Sequence, residues 1–281
     1  MTANILTAKQ IAEGIRNSLK NKRGNFPKIT LASCVMGDNE AVRSYCASQK
    51  KWADTLSVEY REIVMDSNTS EKEAIGIIED LNNDASVNGI VLHKPFLEGW
   101  NEHLLFESVK REKDIEGLNP YNLGELFFGN PLFIPPTVLS VLELLKSISI
   151  DLYGKNVVIV GFSNILGKPL SIILADKFAT VSITHIGTFE ASKLPFYLRN
   201  ADIIITAVGK PHLIKGQWIK DGAVVIDVGI AKLNNKITGD VEFKEALKHV
   251  SCITPVPGGV GALTVAFLFS NLFKAAGMQK R

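Results

Sequence analysis

The sequence predicts an α/β protein of two domains, the second of which has the doubly wound pattern of a Rossmann-like domain. Short apolar strands alternate with helical segments along the 281 residues, which indicates parallel sheets. A loop-rich stretch at 111–138 separates two such runs. Within the second run, VVIVGFSNILGKP at 157–169 is typical of a strand, a tight turn and a helix start.

The first run accounts for an N-terminal α/β domain. Its periodicity predicts, in order, a helix over 5–22, a strand over 29–37, a helix over 40–55, a strand over 58–65, a helix over 70–84 and a strand over 88–96. Ser70 is a good helix cap, and the acids that follow it suit a first turn. Pro95 is expected to stop the last strand, since proline has no backbone N–H.

The second run opens with a helix over 138–148 and has five short apolar strands. After the central strand that begins at 157 come strands at 181–186, 201–209, 223–229 and 251–256. The apolar tail at 263–276 is too long for a strand and predicts a terminal helix packed on the first domain. We therefore place the first domain at 1–138, completed by residues 263–281, and the second at 139–262.

The turn after the central strand is a candidate phosphate site. Gly161 and Gly167 are six residues apart, which matches neither the dinucleotide fingerprint nor a Walker loop. Unpaired N–H groups at a helix start favour an anion, although a glycine turn without a ligand has the same appearance. The turn alone therefore leaves both interpretations open.

Composition narrows the class of protein. The net charge is +2, from 31 basic and 29 acidic residues without a long block of one sign, which gives no reason to expect nucleic acid or a membrane as partner. The three cysteines lack metal-site spacing and fit a reducing compartment, so no metal is expected. We find no signal peptide and no apolar run of membrane-spanning length, and we expect a cytoplasmic protein.

Four segments carry candidate chemistry. Tyr45 and Gln49 are four residues apart on a predicted helix and share a face. His93 closes a strand, Glu116 lies with Asp114 in the loop KDIEGLNP, and PVPGGVG at 255–261 suits close backbone approach. Each also has a structural interpretation: a core tyrosine, a hydrogen-bonded histidine, or solvated loop charges.

Together these segments resemble the methylenetetrahydrofolate dehydrogenase/cyclohydrolase (FolD) family along essentially the whole chain. The most specific matches are ITPVPGGVGALT (253–264), KDIEGLNPYNLGEL (113–126), KGQWIKDGAVVIDVGI (215–230) and GFSNILGKP (161–169). The resemblance implies a folate domain and an NAD(P)-binding Rossmann domain facing each other across a cleft. It also implies tetrahydrofolate one-carbon derivatives as substrates and a homodimer.

The resemblance assigns a folate site with several substituted positions. Tyr45 matches, but Gln49 stands where the family has the lysine of its cyclohydrolase step, and Lys50 points about 100° away around the helix. His93 replaces a glutamine. Glu116 replaces an aspartate as the acidic folate-loop residue, and is expected to hold the pterin edge. Catalytic roles thus fall on Tyr45, Gln49, His93 and Glu116, and folate contacts on Tyr45, Gln49, Glu116, Pro257 and Gly258.

The resemblance also assigns the cofactor site. The family's arginine after the first glycine is Phe162 here, and Gly187 stands where the family has a basic residue after His185. A 2′-phosphate usually needs such a cation, so we expect NAD or NADP to bind with a weak preference for NAD; Lys168 or His185 could reverse it. The assigned positions are Gly161, Phe162, Ser163, Gly167, Lys168, Pro169, His185, Ile230 and Thr264.

The resulting hypothesis is an NAD(P)-dependent dehydrogenase that oxidises 5,10-methylenetetrahydrofolate and has weak or absent cyclohydrolase activity. Hydride removal leaves a resonance-stabilised cation and depends mostly on positioning, whereas hydrolysis needs a titrating group that Gln49 cannot supply. One alternative is a full bifunctional enzyme in which His93 carries the proton. Others are a non-catalytic folate- or nucleotide-binding paralogue and a dehydrogenase for a different pterin or amino-acid substrate.

Overall fold

The computed structural model describes residues 3–37 and 39–279 and divides into two compact units. Unit 1 comprises Met1–Ala12 and Thr137–Thr264, and unit 2 comprises Glu13–Pro136 and Val265–Arg281. The assignment of the first twelve residues to the N-terminal domain is therefore wrong. They group with unit 1 because strand β1 (Asn4–Ile5) pairs in parallel with β11 (Cys252–Ile253).

Unit 2 contains a three-stranded parallel sheet in the order β3–β2–β4. Its strands are β2 (Thr30–Met36), β3 (Glu59–Met65) and β4 (Gly89–Leu92). Five helices accompany them along the chain: α1 (Lys9–Arg23), α2 (Glu40–Leu56), α3 (Glu71–Asn83), α4 (Glu102–Ser108) and α5 (Pro120–Phe127). The central strand β2 is buried along its whole length, so it forms the core of this unit.

Local capping explains where the helices of unit 2 begin. The Asn39 side chain accepts hydrogen bonds from the N–H groups of Ala41 and Val42 at the start of α2. At α3, Ser70 and Glu73 form a reciprocal capping box. Strand β4 is shorter than predicted, so that His93 lies just after it, with its N–H bonded to the Cys34 carbonyl.

Unit 1 is built on a six-stranded sheet in the order β1–β11–β8–β7–β5–β6, and all its pairings are parallel. Its longer elements are α6 (Pro136–Ser147), β5 (Asn156–Val160), α7 (Gly167–Asp176), β6 (Thr180–Thr184), β7 (Ile203–Thr206) and β8 (Val224–Asp227). The short elements are α8 (Ile186–Glu190), α9 (Leu194–Arg199), a 3₁₀ turn (Gly216–Trp218), β9 (Ala231–Leu233), β10 (Lys236–Thr238) and α10 (Phe243–Ala246). The strand order reverses at β5: β6 lies on one side of it, and the later strands β7 and β8 follow on the other. This order confirms the doubly wound prediction.

The terminal helix α11 (Val260–Met278) corrects the expectation that no apolar run reaches membrane-spanning length. By length and composition it could cross a membrane, but such a helix alone is weak evidence, because core helices pass the same test. Within the 18-residue apolar stretch of this helix, 61% is buried inside the protein. Leu268, Phe269 and Leu272 are fully buried, and Phe269 stacks on Trp52, as in a core helix.

Candidate functional site

The four residues predicted to be catalytic come together in unit 2. Tyr45 and Gln49 lie on α2, His93 follows β4, and Glu116 lies in the loop after α4. The Tyr45 and His93 rings meet edge to face with centroids 5.6 Å apart, and the charge of Glu116 acts on the Tyr45 phenol. We call Tyr45, Gln49, His93 and Glu116, whose catalytic role is a prediction from the sequence, the catalytic pocket.

His93 is a buried, hydrogen-bonded histidine. It is 5% exposed, and its Nε2 lies 2.8 Å from Ser33 Oγ and 3.5 Å from Cys46 Sγ. Burial lowers the pKa of His93 to about 4. At this pKa the His93 imidazole stays uncharged near neutral pH, which counts against the alternative in which His93 carries the proton.

Gln49 is fully buried and has an unused donor. Its Oε1 lies 3.5 Å from the Tyr60 hydroxyl, and its Nε2 has no hydrogen-bond partner within residues 3–37 and 39–279. A buried amide nitrogen without a partner is costly unless a ligand binds it. The neighbouring Lys50 is exposed, so it does not replace the family's lysine.

Burial also sets the protonation of the other two pocket residues. It raises the pKa of the Tyr45 phenol far above its usual value, so Tyr45 remains a hydrogen-bond donor. The pKa of Glu116 rises to about 8, first because of burial and then because of the charge of Asp114, while the Leu92 N–H acts in the opposite direction. A pKa of about 8 favours the protonated form of the Glu116 carboxyl near neutral pH.

Asp114 has a structural role. It is 3% exposed, and its carboxylate accepts hydrogen bonds from the backbone N–H groups of Leu118 and Asn119 and from Asn122 Nδ2. The interpretation of this residue as a solvated loop charge is therefore wrong. Asp114 therefore fixes the loop, and its half-buried neighbour Glu116 is the carboxyl group of the catalytic pocket.

The predicted cofactor residues belong to unit 1, at the carboxyl end of its sheet. Gly161 follows β5 with a φ of +124°, and a Cβ there would meet the Ala207 carbonyl oxygen at 2.8 Å. A Cβ on Gly167 would overlap the Gly161 carbonyl oxygen, so the strand end and the helix start are in contact. Both positions require glycine.

The start of α7 fits a dinucleotide phosphate. Its N-cap residue, Leu166, makes no side-chain capping bond, and Ser163 Oγ accepts from the Leu166 N–H at 3.2 Å. Pro169 is buried in the first turn, where its missing N–H costs nothing. The Lys168 N–H donates to the Ser163 carbonyl, so part of this N-terminus is already bonded within the turn, and the support for an anion here comes mainly from the close backbone approach at the two glycines.

The cationic group of this turn is Lys168. Its Nζ lies 2.7 Å from Asn164 Oδ1 and 4.8 Å from the centroid of the Phe162 ring, which is 52% exposed. His185 instead caps α8, where its Nδ1 accepts from the Gly187 N–H at 3.3 Å. The two residues that could reverse the cofactor preference thus occupy different environments.

The remaining assigned residues also lie in unit 1. Ile230 is exposed after β8, just as Phe162 is exposed after β5, and such apolar groups suit the rings of a nucleotide. Thr264 lies in α11 and donates to the Val260 carbonyl. Pro257 and Gly258 are exposed, and the Gly258 carbonyl accepts from the Ala8 N–H.

The sequence analysis missed two buried aspartates that hold the loops at this end of the sheet. Asp240 accepts from the Thr206 hydroxyl and from the N–H groups of Val208 and Lys210. Asp227, whose pKa burial raises to about 7, accepts from three further backbone N–H groups. The only signal for them was the position of Asp227 as a charged residue inside the apolar strand predicted at 223–229.

The sheet and glycine turn of unit 1 define a dinucleotide-binding domain, and unit 2 adds a polar, buried pocket. The sequence matches two parts of one family: "Tetrahydrofolate dehydrogenase/cyclohydrolase, catalytic domain" over residues 6–116 and its "NAD(P)-binding domain" over residues 135–280. The chain therefore belongs to the tetrahydrofolate dehydrogenase/cyclohydrolase family.

Individual relatives agree with this assignment. The chain is 40% identical over 286 residues to the bifunctional protein FolD of Acetivibrio thermocellus, covering 100% of this chain and 99% of the relative. The FolD crystal structure from Campylobacter jejuni superposes with a TM-score of 0.93 at 38% identity, covering 98% and 99% of the two chains. The Trypanosoma brucei FolD, solved with NADP and an inhibitor, gives 0.94 at 29% identity, covering 100% and 99%.

Proposed function

We propose that this protein oxidises 5,10-methylenetetrahydrofolate to 5,10-methenyltetrahydrofolate with NAD or NADP, and that its cyclohydrolase activity is weak or absent. The observation that carries the proposal is the fully buried Gln49, a residue that cannot titrate, with an unpaired amide nitrogen beside Tyr45. Family membership supports the dehydrogenase activity.

The oxidation needs positioning more than proton transfer. A nicotinamide held at the glycine turn of unit 1 would supply the hydride acceptor, and loss of hydride from a methylene carbon between two nitrogens would leave a resonance-stabilised cation. Tyr45 and Gln49 both offer hydrogen-bond donors that can orient the folate. Glu116 offers a carboxyl group for the N–H groups of the pterin. None of these roles requires a change of charge on Gln49.

Hydrolysis of the methenyl cation is different, because a group must take a proton from water and deliver it to nitrogen. Gln49 has no titrating proton, and the low pKa of His93, about 4, leaves this imidazole a poor carrier near neutrality. Glu116 titrates near neutrality, but we assign it to the pterin. These properties support weak hydrolysis.

The second candidate is a full bifunctional enzyme. The relative from Acetivibrio thermocellus carries the name "Bifunctional protein FolD", which favours it. It requires a proton carrier other than Gln49, and His93 would need a pKa nearer neutrality once folate is bound. The non-catalytic paralogue is less well supported, since the glycine turn and the pocket are both present.

We also propose a modest preference for NAD. Phe162 offers no charge to a 2′-phosphate, and Gly187 has no side chain. Lys168 supplies the nearby cation, but Asn164 already engages its ammonium group. A cytoplasmic homodimer is proposed on the family resemblance, and analytical ultracentrifugation would test the dimer.

Initial rates of cofactor reduction with 5,10-methylenetetrahydrofolate test the dehydrogenase activity. We expect reduction of both NAD and NADP, with the larger kcat/KM for NAD. Folate binding in calorimetry without any cofactor reduction would instead identify a non-catalytic paralogue, and neither binding nor turnover would point to another substrate.

A further inference from the structure

We propose that Tyr60 and Ser33 are positioning residues that hold the His93 imidazole as its Nδ1–H tautomer, so that His93 serves the catalytic pocket as a fixed neutral group. This inference rests on the proposed function for its kinetic consequence. The tautomer itself is a property of unit 2 and can be measured without turnover.

Three side chains form a hydrogen-bond relay. The Tyr60 hydroxyl donates to Ser33 Oγ at 2.8 Å, and Ser33 Oγ lies 2.8 Å from His93 Nε2. Ser33 is fully buried on β2 and His93 is nearly so. Tyr60 is partly buried, so the bond from Ser33 to His93 is the more shielded of the two, and low local polarity strengthens it.

The direction of the relay follows from the number of protons. Ser33 Oγ receives the Tyr60 proton, which leaves the single hydroxyl proton of Ser33 to donate to His93 Nε2. Nε2 is then an acceptor, and the proton of a neutral imidazole must sit on Nδ1. The thiol of Cys46, 3.5 Å from the same nitrogen, is compatible because a thiol is also a weak donor.

The strand register shows why this arrangement arises. Ser33 pairs with Val91 across β2 and β4, and with Glu62 across β2 and β3. The central strand thus carries the serine between Tyr60, on β3, and His93, just beyond β4. A hydroxyl buried in the middle of a strand needs hydrogen-bond partners, and this relay supplies them.

In the pocket, His93 is therefore a fixed hydrogen-bonding group and not a proton carrier. Its Nε2 is occupied by Ser33, and only Nδ1–H is left as a donor. The Tyr60 hydroxyl also lies 3.5 Å from Gln49 Oε1, so Tyr60 borders Gln49 as well. We expect the loss of Ser33 to affect folate binding mainly through His93, because the bond from Ser33 to His93 is much shorter than that from Tyr60 to Gln49.

Nitrogen-15 NMR of labelled protein tests the tautomer, with the His93→Gln variant identifying the signal among five histidines. We expect the Nδ1–H pattern in the wild type, a shift towards Nε2–H in Ser33→Ala, and a mixture in Tyr60→Phe. A wild-type Nε2–H pattern, or an unchanged pattern in both variants, would overturn the proposal. If Ser33→Ala does not fold, Tyr60→Phe carries the test alone.

Kinetics then test whether Ser33 acts through His93. Losing one hydrogen bond should raise the KM for the folate by roughly 2- to 10-fold in Ser33→Ala. In a His93→Gln background the same change should have little effect, whereas a merely structural serine would cost the same in both. Ser48→Ala, at an exposed serine of α2, is the matched control. An inactive wild type with the Nδ1–H pattern would refute the proposed function and leave the relay standing.

Discussion

The catalytic pocket of unit 2 and the glycine turn of unit 1 differ in how they accommodate side chains that depart from the family pattern. In the pocket, Gln49 and His93 are almost completely buried, and His93 is hydrogen-bonded to Ser33. At the glycine turn, Phe162 is half exposed and Gly187 is exposed. Substitutions are therefore built into the interior in unit 2 and left at the surface in unit 1.

This difference decides how large their effects should be. Inside the pocket, bulk water cannot take over the proton transfer of a lost titrating group. The rate of the reaction that needs this group should therefore fall strongly. At the surface, water screens charge, and changing one cation alters cofactor choice only moderately. We therefore expect that restoring a family residue in the pocket changes activity much more than restoring one at the surface.

The largest effect is expected from Gln49→Lys. A titrating amine at this buried position should raise the rate of methenyltetrahydrofolate hydrolysis by about 10²–10⁴-fold, the usual range for general acid–base groups. The absorbance of the methenyl compound measures this rate. The control is Lys50→Gln, which alters the exposed neighbouring residue and should change nothing. An equal hydrolysis rate in the wild type and the lysine variant would contradict the account.

The next effect is expected from Gly161→Ala. A side chain at a φ of +124° meeting a carbonyl oxygen at 2.8 Å should lower the free energy of unfolding by about 1–3 kcal/mol and weaken cofactor binding. Urea unfolding and calorimetry measure the two losses. Gly14→Ala is the matched control, because nothing lies within 4 Å of its Cβ; it should stabilise the helix by about 0.5–1 kcal/mol. A variant that is as stable as the wild type and binds cofactor equally well would contradict the geometry.

A pH series on Glu116→Gln addresses the protonation of the pocket. Because the pKa of Glu116 is raised to about 8, the N–H groups of the pterin must compete with a proton for its carboxylate. The affinity of the wild type for folate should therefore rise about tenfold between roughly pH 7 and pH 9. The variant should show no such rise. The same pKa shift should make wild-type stability fall as the pH rises from the ordinary carboxyl range to about 8, because the unfolded chain releases that proton first. A variant with the wild-type pH slope would show that another group titrates.

The smallest effect is expected at the cofactor turn. Phe162→Arg should raise the ratio of kcat/KM for NADP over NAD by about two- to five-fold, the value of a solvent-exposed charge pair. Phe196→Arg, at an exposed phenylalanine of α9, adds the same charge elsewhere in unit 1 and serves as control. A strong NADP preference already present in the wild type would indicate that Lys168 or His185 holds the phosphate.

Periodicity and caps were sufficient to predict most of the fold, but not the site's protonation. Helix α3 could be predicted because Ser70 and Glu73 signal its start locally. Strand β1 could not, because it has two residues and exists only through pairing with β11. The relay was equally hidden, since Ser33, Tyr60 and His93 meet through strand register and burial, which no local pattern encodes.

The most direct test of the central claim follows cofactor reduction and methenyl absorbance together in the wild-type protein supplied with 5,10-methylenetetrahydrofolate. We predict that methenyltetrahydrofolate accumulates mole for mole with the reduced cofactor, because Gln49 cannot support hydrolysis. Reduction of the cofactor without accumulation of the methenyl compound would contradict the account, since the pocket would then contain a working proton carrier.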